Sequence, residues 1–406
     1  MTVLSHAATP FCCLDILHTA RTFSGTRSGS AGKWARKLFF SHKKKTKYVI
    51  KKENVIIFEK EHSGSIFAVS NDRVTIADVA ERAGVSAATV GRVVGGYGSV
   101  SNKTRDKILS AIDELGYTPN VVAQGLRSRR TKTIAVVIGS ISNSFFANMV
   151  NAIENEAEEY GYNVIICNTH EDPEQEMKQI VNLQTRMIDG IILSSSWPVG
   201  DFDKERSSVY YSGVPIVMVD RRVEGLDFDV IESENFVGSY KTTNYLIALG
   251  HRKIGILGAG NYSTVNDRIA GYREALTERK IEFLPKRVLV PMRKKNRYNS
   301  AEIDNYFLSN QDMMAVMILN NSLAETALLR LEGLPDSIRD RLSIICWDDA
   351  GMNKLLGLTT VLQFPSEMGR EAARRVIGLI EKRDLAGEKK NIIGTELIIR
   401  SSCKPL

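Results

Sequence analysis

Polar and aromatic side chains gather at the ends of apolar runs in the larger part of this 406-residue chain. Asn143, Phe145 and Phe146 follow IAVVIG (134–139), Ser194 and Trp197 close the run at 191–195, and Asp220 ends PIVMVD with Arg221 behind it. Further on, Asn266-Asp267-Arg268 leads into IAGYREAL, Asn320 and Asn321 follow AVMIL, and Trp347, Asp348 and Asp349 follow LSIIC. Acids, amides and guanidiniums beside rings suit recognition of a polyhydroxylated molecule: rings cover its apolar face and bidentate groups hold adjacent hydroxyls. A second set lies earlier. Ala87, Ala88 and Arg92 share one face of a helical segment, where Arg92 suits guanine O6/N7 and the alanine methyls suit thymine.

Catalytic patterns are missing. Gly258-Ala259-Gly260 follows a strand-like run, but Ser263 stands at the third glycine position of a dinucleotide fingerprint, and no acidic residue is set up for a ribose. Four of the six histidines lie within residues 1–70, and His170 and His251 have no Cys, His or Glu at ligand spacing, so no metal site, cofactor site or catalytic residue is expected. Cys12, Cys13, Cys167, Cys346 and Cys403 form neither a metal pattern nor a disulfide framework; Cys167 and Cys346 sit in apolar runs as small buried hydrophobes, which suits a reducing cytoplasm. No apolar run approaches the roughly 20 residues that span a bilayer. The expectation is a protein that is not an enzyme and has no membrane partner.

The candidate ligand residues need a parallel sheet to hold them. Near-continuous hydrophobic runs at 134–139, 164–168, 191–195 and 215–220 read as strands buried on both faces, with helical patterns near 144–160 and 172–187 between them. After Val230 the rhythm restarts with runs at 253–258, 287–291, 315–319 and 342–346, and helices near 234–250, 266–280, 298–309 and 321–334. Alternation of this kind predicts two doubly wound α/β lobes with a cleft between them, and open sheets bind ligands beyond the carboxyl ends of their strands.

Arg92 and its neighbours need a different scaffold. Ile76, Val79, Ala80 and Ala83 recur at helical spacing behind a capping box of Thr75 and Asp78. Gly84 breaks the pattern, Val85 plugs the turn, and Ser86 caps a second helix whose inner face is Val90, Val93 and Val94. Ser101 opens a third helix expected to bury Ile108, Leu109, Ile112 and Leu115. Helix, glycine-containing turn and helix make a helix-turn-helix, whose second helix enters a DNA major groove.

Charge follows the same division. The net +7 of the chain is carried by residues 1–70, at +8, and by 71–132, at +4, while 133–406 holds −5. Positive charge near the helix-turn-helix is what phosphate neutralisation requires.

The run VTIADVAERAGVS…TVGRVV…VS…TR…AIDELGYTPN…A…L closely resembles the DNA-binding end of the LacI/GalR family of bacterial transcriptional regulators, and the likeness extends over residues 72–406. The resemblance implies an N-terminal three-helix helix-turn-helix domain plus hinge helix, then a periplasmic-binding-protein-like two-lobed doubly wound α/β domain. The expected boundaries are 1–72 for a leader without pattern, 73–119 for the reader, 120–132 for the hinge helix and linker, and 133–406 for the effector-binding and dimerisation lobes. Chain crossings are expected near 231, 361 and 391, so that the helix around 366–383 returns to the first lobe. DNA contacts are expected from Thr75, Ser86, Ala87, Ala88, Thr89, Arg92, Ser101, Asn120 and Leu126, with Leu126 wedged into the minor groove at the operator centre. Gly91 replaces the family's usual Ser and weakens the second helix. Effector contacts are expected from Asn143, Phe145, Phe146, Ser194, Asp220, Arg268, Asn320, Trp347 and Asp348. Of these, Arg268, Asn320 and Asp348 stand at the family's ligand positions, and Asn321 departs from the Asp common there.

Together these readings describe a dimeric regulator, in most of the family a repressor, of double-stranded operator DNA. A small sugar-like effector in the cleft controls it. The alternatives are a solute-binding protein without DNA regulation and a nucleobase-responsive regulator. The chain ends in IIGTELIIRSSCKPL without the heptads of a tetramerising helix, so a dimer and no stable tetramer is expected. For residues 1–72 the readings are a mis-assigned start or disordered tail, and a transit peptide or nucleic-acid-binding tail.

Overall fold

The computed structural model describes residues 74–118, 130–291, 297–383 and 389–406, together with the backbone of short strands within 38–68 and at 293–294. The chain divides into two compact units, residues 1–119 and 120–406.

In the first unit, helix α1 (Ile76–Ala83) starts at a reciprocal capping box: the Thr75 amide donates to the Asp78 carboxylate at 2.7 Å, and the Asp78 amide donates to the Thr75 hydroxyl at 3.4 Å. Gly84, at φ 67°, ends it in the left-handed conformation that glycine adopts without penalty. Ser86 accepts from the Thr89 amide at 3.2 Å to start α2 (Ala87–Gly95), and Ser101 caps α3 (Asn102–Leu115) in the same way through Thr104. Val79, Ala80, Val90, Val93, Ile108 and Ala111 form the core of the three helices. Leu109, expected inside, is 51% exposed. One residue along a helix is a rotation of about 100°, so Ile108, Ala111, Ile112 and Leu115 make the stripe and Leu109 falls outside it.

Upstream, Leu38–Phe40, Thr46–Lys51, Val55–Lys60 and Phe67–Ala68 form a four-stranded antiparallel sheet in sequence order, with Tyr48 opposite Phe58. The β-branched run KYVIKKENVIIF, the exception in an otherwise unpatterned leader, supplies two of these paired strands. The expected sites Asn120 and Leu126 lie outside the described residues.

The second unit is built from two six-stranded sheets. The first lobe holds β1 (Thr133–Ile138), β2 (Asn163–Asn168), β3 (Gly190–Leu193), β4 (Ile216–Val219) and β5 (Asp229–Ser233), with α4 (Ser144–Glu159) and α5 (Pro173–Thr185) between them. The second holds α6 (Asn235–Ala248), β6 (Ile254–Leu257), α7 (Ser263–Glu278), β7 (Val288–Leu289), α8 (Ser300–Ser309), β8 (Ala315–Ile318), α9 (Asn321–Glu332), β9 (Ser343–Trp347) and β10 (Thr359–Leu362). Then α10 (Pro365–Glu381) and β11 (Lys390–Ile393) return to the first lobe and β12 (Glu396–Ile398) to the second. Strand orders are β11-β5-β4-β3-β1-β2 and β7-β6-β8-β9-β10-β12, parallel throughout except for the β10–β12 pair.

The chain therefore crosses after Ser233, Leu362 and Ile393, one or two residues later than expected. Glu232 and Ser233 are polar yet buried, which hid the true end of β5. The central strands β3, β4, β5, β6 and β8 are buried along their length. At β2 the expectation of burial on both faces is corrected, because it is the edge strand and exposes Ile165 and Ile166. Helices α4 and α10 cover one face of the first sheet, and Gly369 lets them touch: a Cβ there would lie 2.5 Å from the Met149 carbonyl oxygen. Among the described residues no helix is long and apolar enough to cross a membrane.

Candidate functional site

Strand ends of both lobes converge on one cavity of about 60 Å3. From the first lobe come Asn143, Phe145 and Phe146 at the start of α4, Glu171 after β2, and Asp220-Arg221 after β4. From the second come Ala259, Gly260, Tyr262 and Thr264 around the start of α7, Arg268 one turn on, Tyr298, Asn320 to Ser322 at the start of α9, and Asp348 after β9; Gln363 lines it from a crossing.

Arg221 lies at the centre. Its Nη1 donates to Glu171 Oε2 at 2.5 Å and to the Ser195 carbonyl at 3.1 Å, its Nη2 donates to Glu171 Oε1 at 3.1 Å, and its Nε is 3.4 Å from an Asp220 oxygen. The guanidinium stacks across the cleft on the Tyr262 ring, 3.8 Å from its centroid. Glu171 reaches this position because residue 139 is glycine; a Cβ there would lie 2.3 Å from the carboxylate. Glu171 and Asp220 both hold positive φ, 60° and 67°, as does Asp348 at 69°. Non-glycine residues rarely adopt that conformation, and its appearance at three acids lining the cavity marks a backbone shaped there.

In the second lobe Arg268 donates to Asn235 Oδ1 at 2.8 Å, to the Leu319 carbonyl, and to Gln363 Oε1 at 2.9 Å. Gln363 in turn donates to Asp348 at 2.6 Å. Burial pushes Asp220 up to about 6, against the pull of Arg221 and Arg268, and pushes Asp348 up as well, against Arg268 and Gln363. Burial also brings Arg268 down to about 10, which leaves it charged at neutral pH.

The lobes are latched around this cavity. Arg222 makes a two-point bridge to Asp267 at 2.7 and 2.8 Å while also holding Glu232 at 2.6 Å. Asn321 Nδ2 donates to Ser144 Oγ at 2.9 Å, and Val199 and Asn261 exchange two hydrogen bonds.

Of the effector residues expected from sequence, Asn143, Phe145, Phe146, Asp220, Arg268, Asn320 and Asp348 line the cavity. Asn143 also caps α4 through the Phe145 amide, and Asn320 Oδ1 accepts from the Ala259 amide at 2.6 Å. Ser194 and Trp347 do not line it. Both are fully buried; Trp347 lies behind Arg268, with the guanidinium 3.7 Å from its ring centroid. Glu171, Tyr262, Thr264, Tyr298 and Gln363 were not anticipated. The strand-end rule applied to β2 finds Glu171, whereas Tyr298 comes from a two-residue strand paired with 293–294 outside the two six-stranded sheets, and Gln363 from a crossing.

The reader's face is also in place. Ser86, Ala87, Ala88 and Arg92 are exposed along α2, with Thr89 half-buried, and Thr75 and Ser101 are exposed at the starts of α1 and α3. Gly91 is buried.

Residues 75–120 match the family described as bacterial regulatory proteins, lacI family, and residues 131–401 match the periplasmic binding proteins and sugar binding domain of LacI family. The HTH-type transcriptional regulator DegA of Bacillus subtilis is 32% identical over 82% of this chain and 99% of its own length. The HTH-type transcriptional repressor PurR of Haemophilus influenzae is 31% identical over 82% of this chain and 99% of its own. The lac repressor dimer bound to operator and the anti-inducer ONPF superposes with a TM-score of 0.70 at 25% identity, over 82% of this chain and 100% of that one. The CelR–cellobiose complex superposes at 0.58 and 25% identity, over 81% and 100%. With a helix-turn-helix at one end and a closed two-lobed cleft filling the rest, this chain belongs to the LacI family and is a DNA-binding transcriptional regulator, not an enzyme.

Proposed function

We propose that this protein works in the cytoplasm as a homodimer that reads a two-half-site operator through α2 of each protomer, and that a small polyhydroxylated effector bound between the lobes sets its operator affinity. The observation that carries this is the cavity, where acids, amides and rings from both lobes meet at strand ends and a guest that alters lobe closure alters the whole second unit. Asp220, Asp348, Asn143 and Asn320 are the candidate hydroxyl-binding groups, with Phe146, Tyr262 and Tyr298 as the rings. In the reader, Arg92 with Ala87 and Ala88 touches bases; Thr75, Ser86, Thr89 and Ser101 hold phosphates from helix N-termini. Asn120 and Leu126 are assigned to the hinge, with Leu126 as the minor-groove wedge. The lac repressor dimer on its operator and the cellobiose complex of CelR support the dimer, the DNA and the sugar-like guest.

Operator selection from random duplex DNA with the full chain, followed by titration of the selected site with neutral sugars, sugar phosphates and nucleobases, tests this function. The expected result is one palindromic site bound by two protomers, with affinity shifted by a sugar. Binding without sequence preference overturns the regulator's assignment to a specific operator, and a response to nucleobases alone overturns the effector class.

A further inference from the structure

We infer that Glu171 and Arg221 are a specificity-determining pair and that they select an uncharged ligand for the cleft, excluding phosphorylated and carboxylated ones; this rests on the cleft being the effector site. Anions are held by arginines that present a free two-donor fork, or by uncapped helix N-termini. Among the residues lining the cavity the cations are Arg221 and Arg268. The fork of Arg221 is already closed on both oxygens of Glu171, its remaining side nears Asp220, and its face is covered by Tyr262. Arg268 directs Nε, Nη1 and Nη2 at Asn235, the Leu319 carbonyl and Gln363, and its face lies on Trp347. Neither guanidinium offers the fork that a phosphate or carboxylate needs.

Against two guanidiniums stand three carboxylates: Glu171, Asp220 and Asp348. Two of the three helix N-termini that open on the cleft already have partners, α4 in Asn143 and α9 in Asp348, which accepts from the Asn321 backbone amide; the third, α7, has no side-chain cap and faces the same three carboxylates. A phosphate entering here must displace Glu171 from Arg221 and cost that buried carboxylate its arginine partner, a strongly unfavourable exchange. A hydroxyl-rich neutral molecule meets the opposite situation, because carboxylate lone pairs accept its protons without breaking the pair.

The test is a titration of the full chain, followed by thermal shift and calorimetry, with inorganic phosphate against chloride at equal ionic strength, and with glucose and ribose against glucose 6-phosphate and ribose 5-phosphate. Wild type is expected to show no saturable phosphate binding, and any sugar it binds is expected to lose at least about 10-fold in affinity on phosphorylation. Glu171→Gln keeps the shape of the side chain, removes its charge and leaves one arm of the Arg221 fork without an acceptor. Phosphate binding should appear in it, at least about 10-fold tighter than in wild type, and vanish in the double variant Glu171→Gln/Arg221→Met. A wild-type protein that binds either sugar phosphate more tightly than its parent sugar overturns the inference, whether or not the variants fold. So does a Glu171→Gln protein with native circular dichroism that gains no phosphate binding. If Glu171→Gln captures phosphate while no sugar alters operator binding, charge selection by the pair stands and the sugar-effector reading fails.

Discussion

Asp220 sits in a buried, positive-φ position where its ionised form is disfavoured, with a folded-state pKa of about 6 against an ordinary 3.8. A carboxylate raised in this way stabilises the fold relative to its ionised state below pH 4, and that contribution is lost as pH rises through 6. Asp220→Asn, which tolerates the same backbone, is therefore expected to exceed wild type in stability at pH 8 by on the order of 1–3 kcal/mol and to match it below pH 4. Urea melts across pH 4–8 read the difference. At the reader, Arg92→Ala should lose about 1–3 kcal/mol on the selected operator and little on random duplex; equal losses on both would reduce Arg92 to a phosphate contact. The places of Asp220, Asn320 and Asp348 on the cavity wall were legible because strand-end position is written in the alternation of apolar and polar runs, whereas Arg268 lies inside α7 and was marked by the family resemblance. Ser194 and Trp347 were misread because such a pattern locates the chain but not the direction in which a side chain leaves the sheet.

The helices of the reader show how local rules succeed and where they stop. Thr75, Ser86 and Ser101 cap as their side-chain chemistry requires. Leu109 fails because the stripe that packs runs through Ile108, Ala111, Ile112 and Leu115, and position 109 lies about 100° round the helix from Ile108 on the side away from Ala111. Ile108→Ala is expected to cost about 2–5 kcal/mol, seen as faster amide exchange at Val79 and Val90. Leu109→Ala should stay within about 0.5 kcal/mol. A Leu109 loss as large as that of Ile108 would contradict the exposed position. The edge strand β2 carries the same lesson: VIICN looks like any buried parallel strand, and its place beside β1 alone, a property of the whole sheet, exposes two of its isoleucines.

At the scale of the molecule the latch of Arg222 on Asp267 joins lobes that the chain links by three crossings. Ligand pockets run to about 300–1,000 Å3, so the 60 Å3 cavity requires the lobes to part, or Arg221 to move, before a guest enters. Arg222→Ala should favour the parted state, enlarge the radius of gyration in X-ray scattering and weaken the bound effector about five-fold, near 1 kcal/mol for a partly exposed bridge. Unchanged scattering and affinity would mean that the bridge does not hold the lobes. The three crossings also set an order of synthesis. The first lobe's core includes Met368, Ala372, Val376, Ile377 and Ile393, so on the ribosome it stays open until Ile393 has emerged, long after the reader at 74–118 has done so. A message cut short between residues 119 and 393 would release a DNA-reading head on an unfinished controller, which makes residues 365–393 a checkpoint between reading DNA and being governed while doing so.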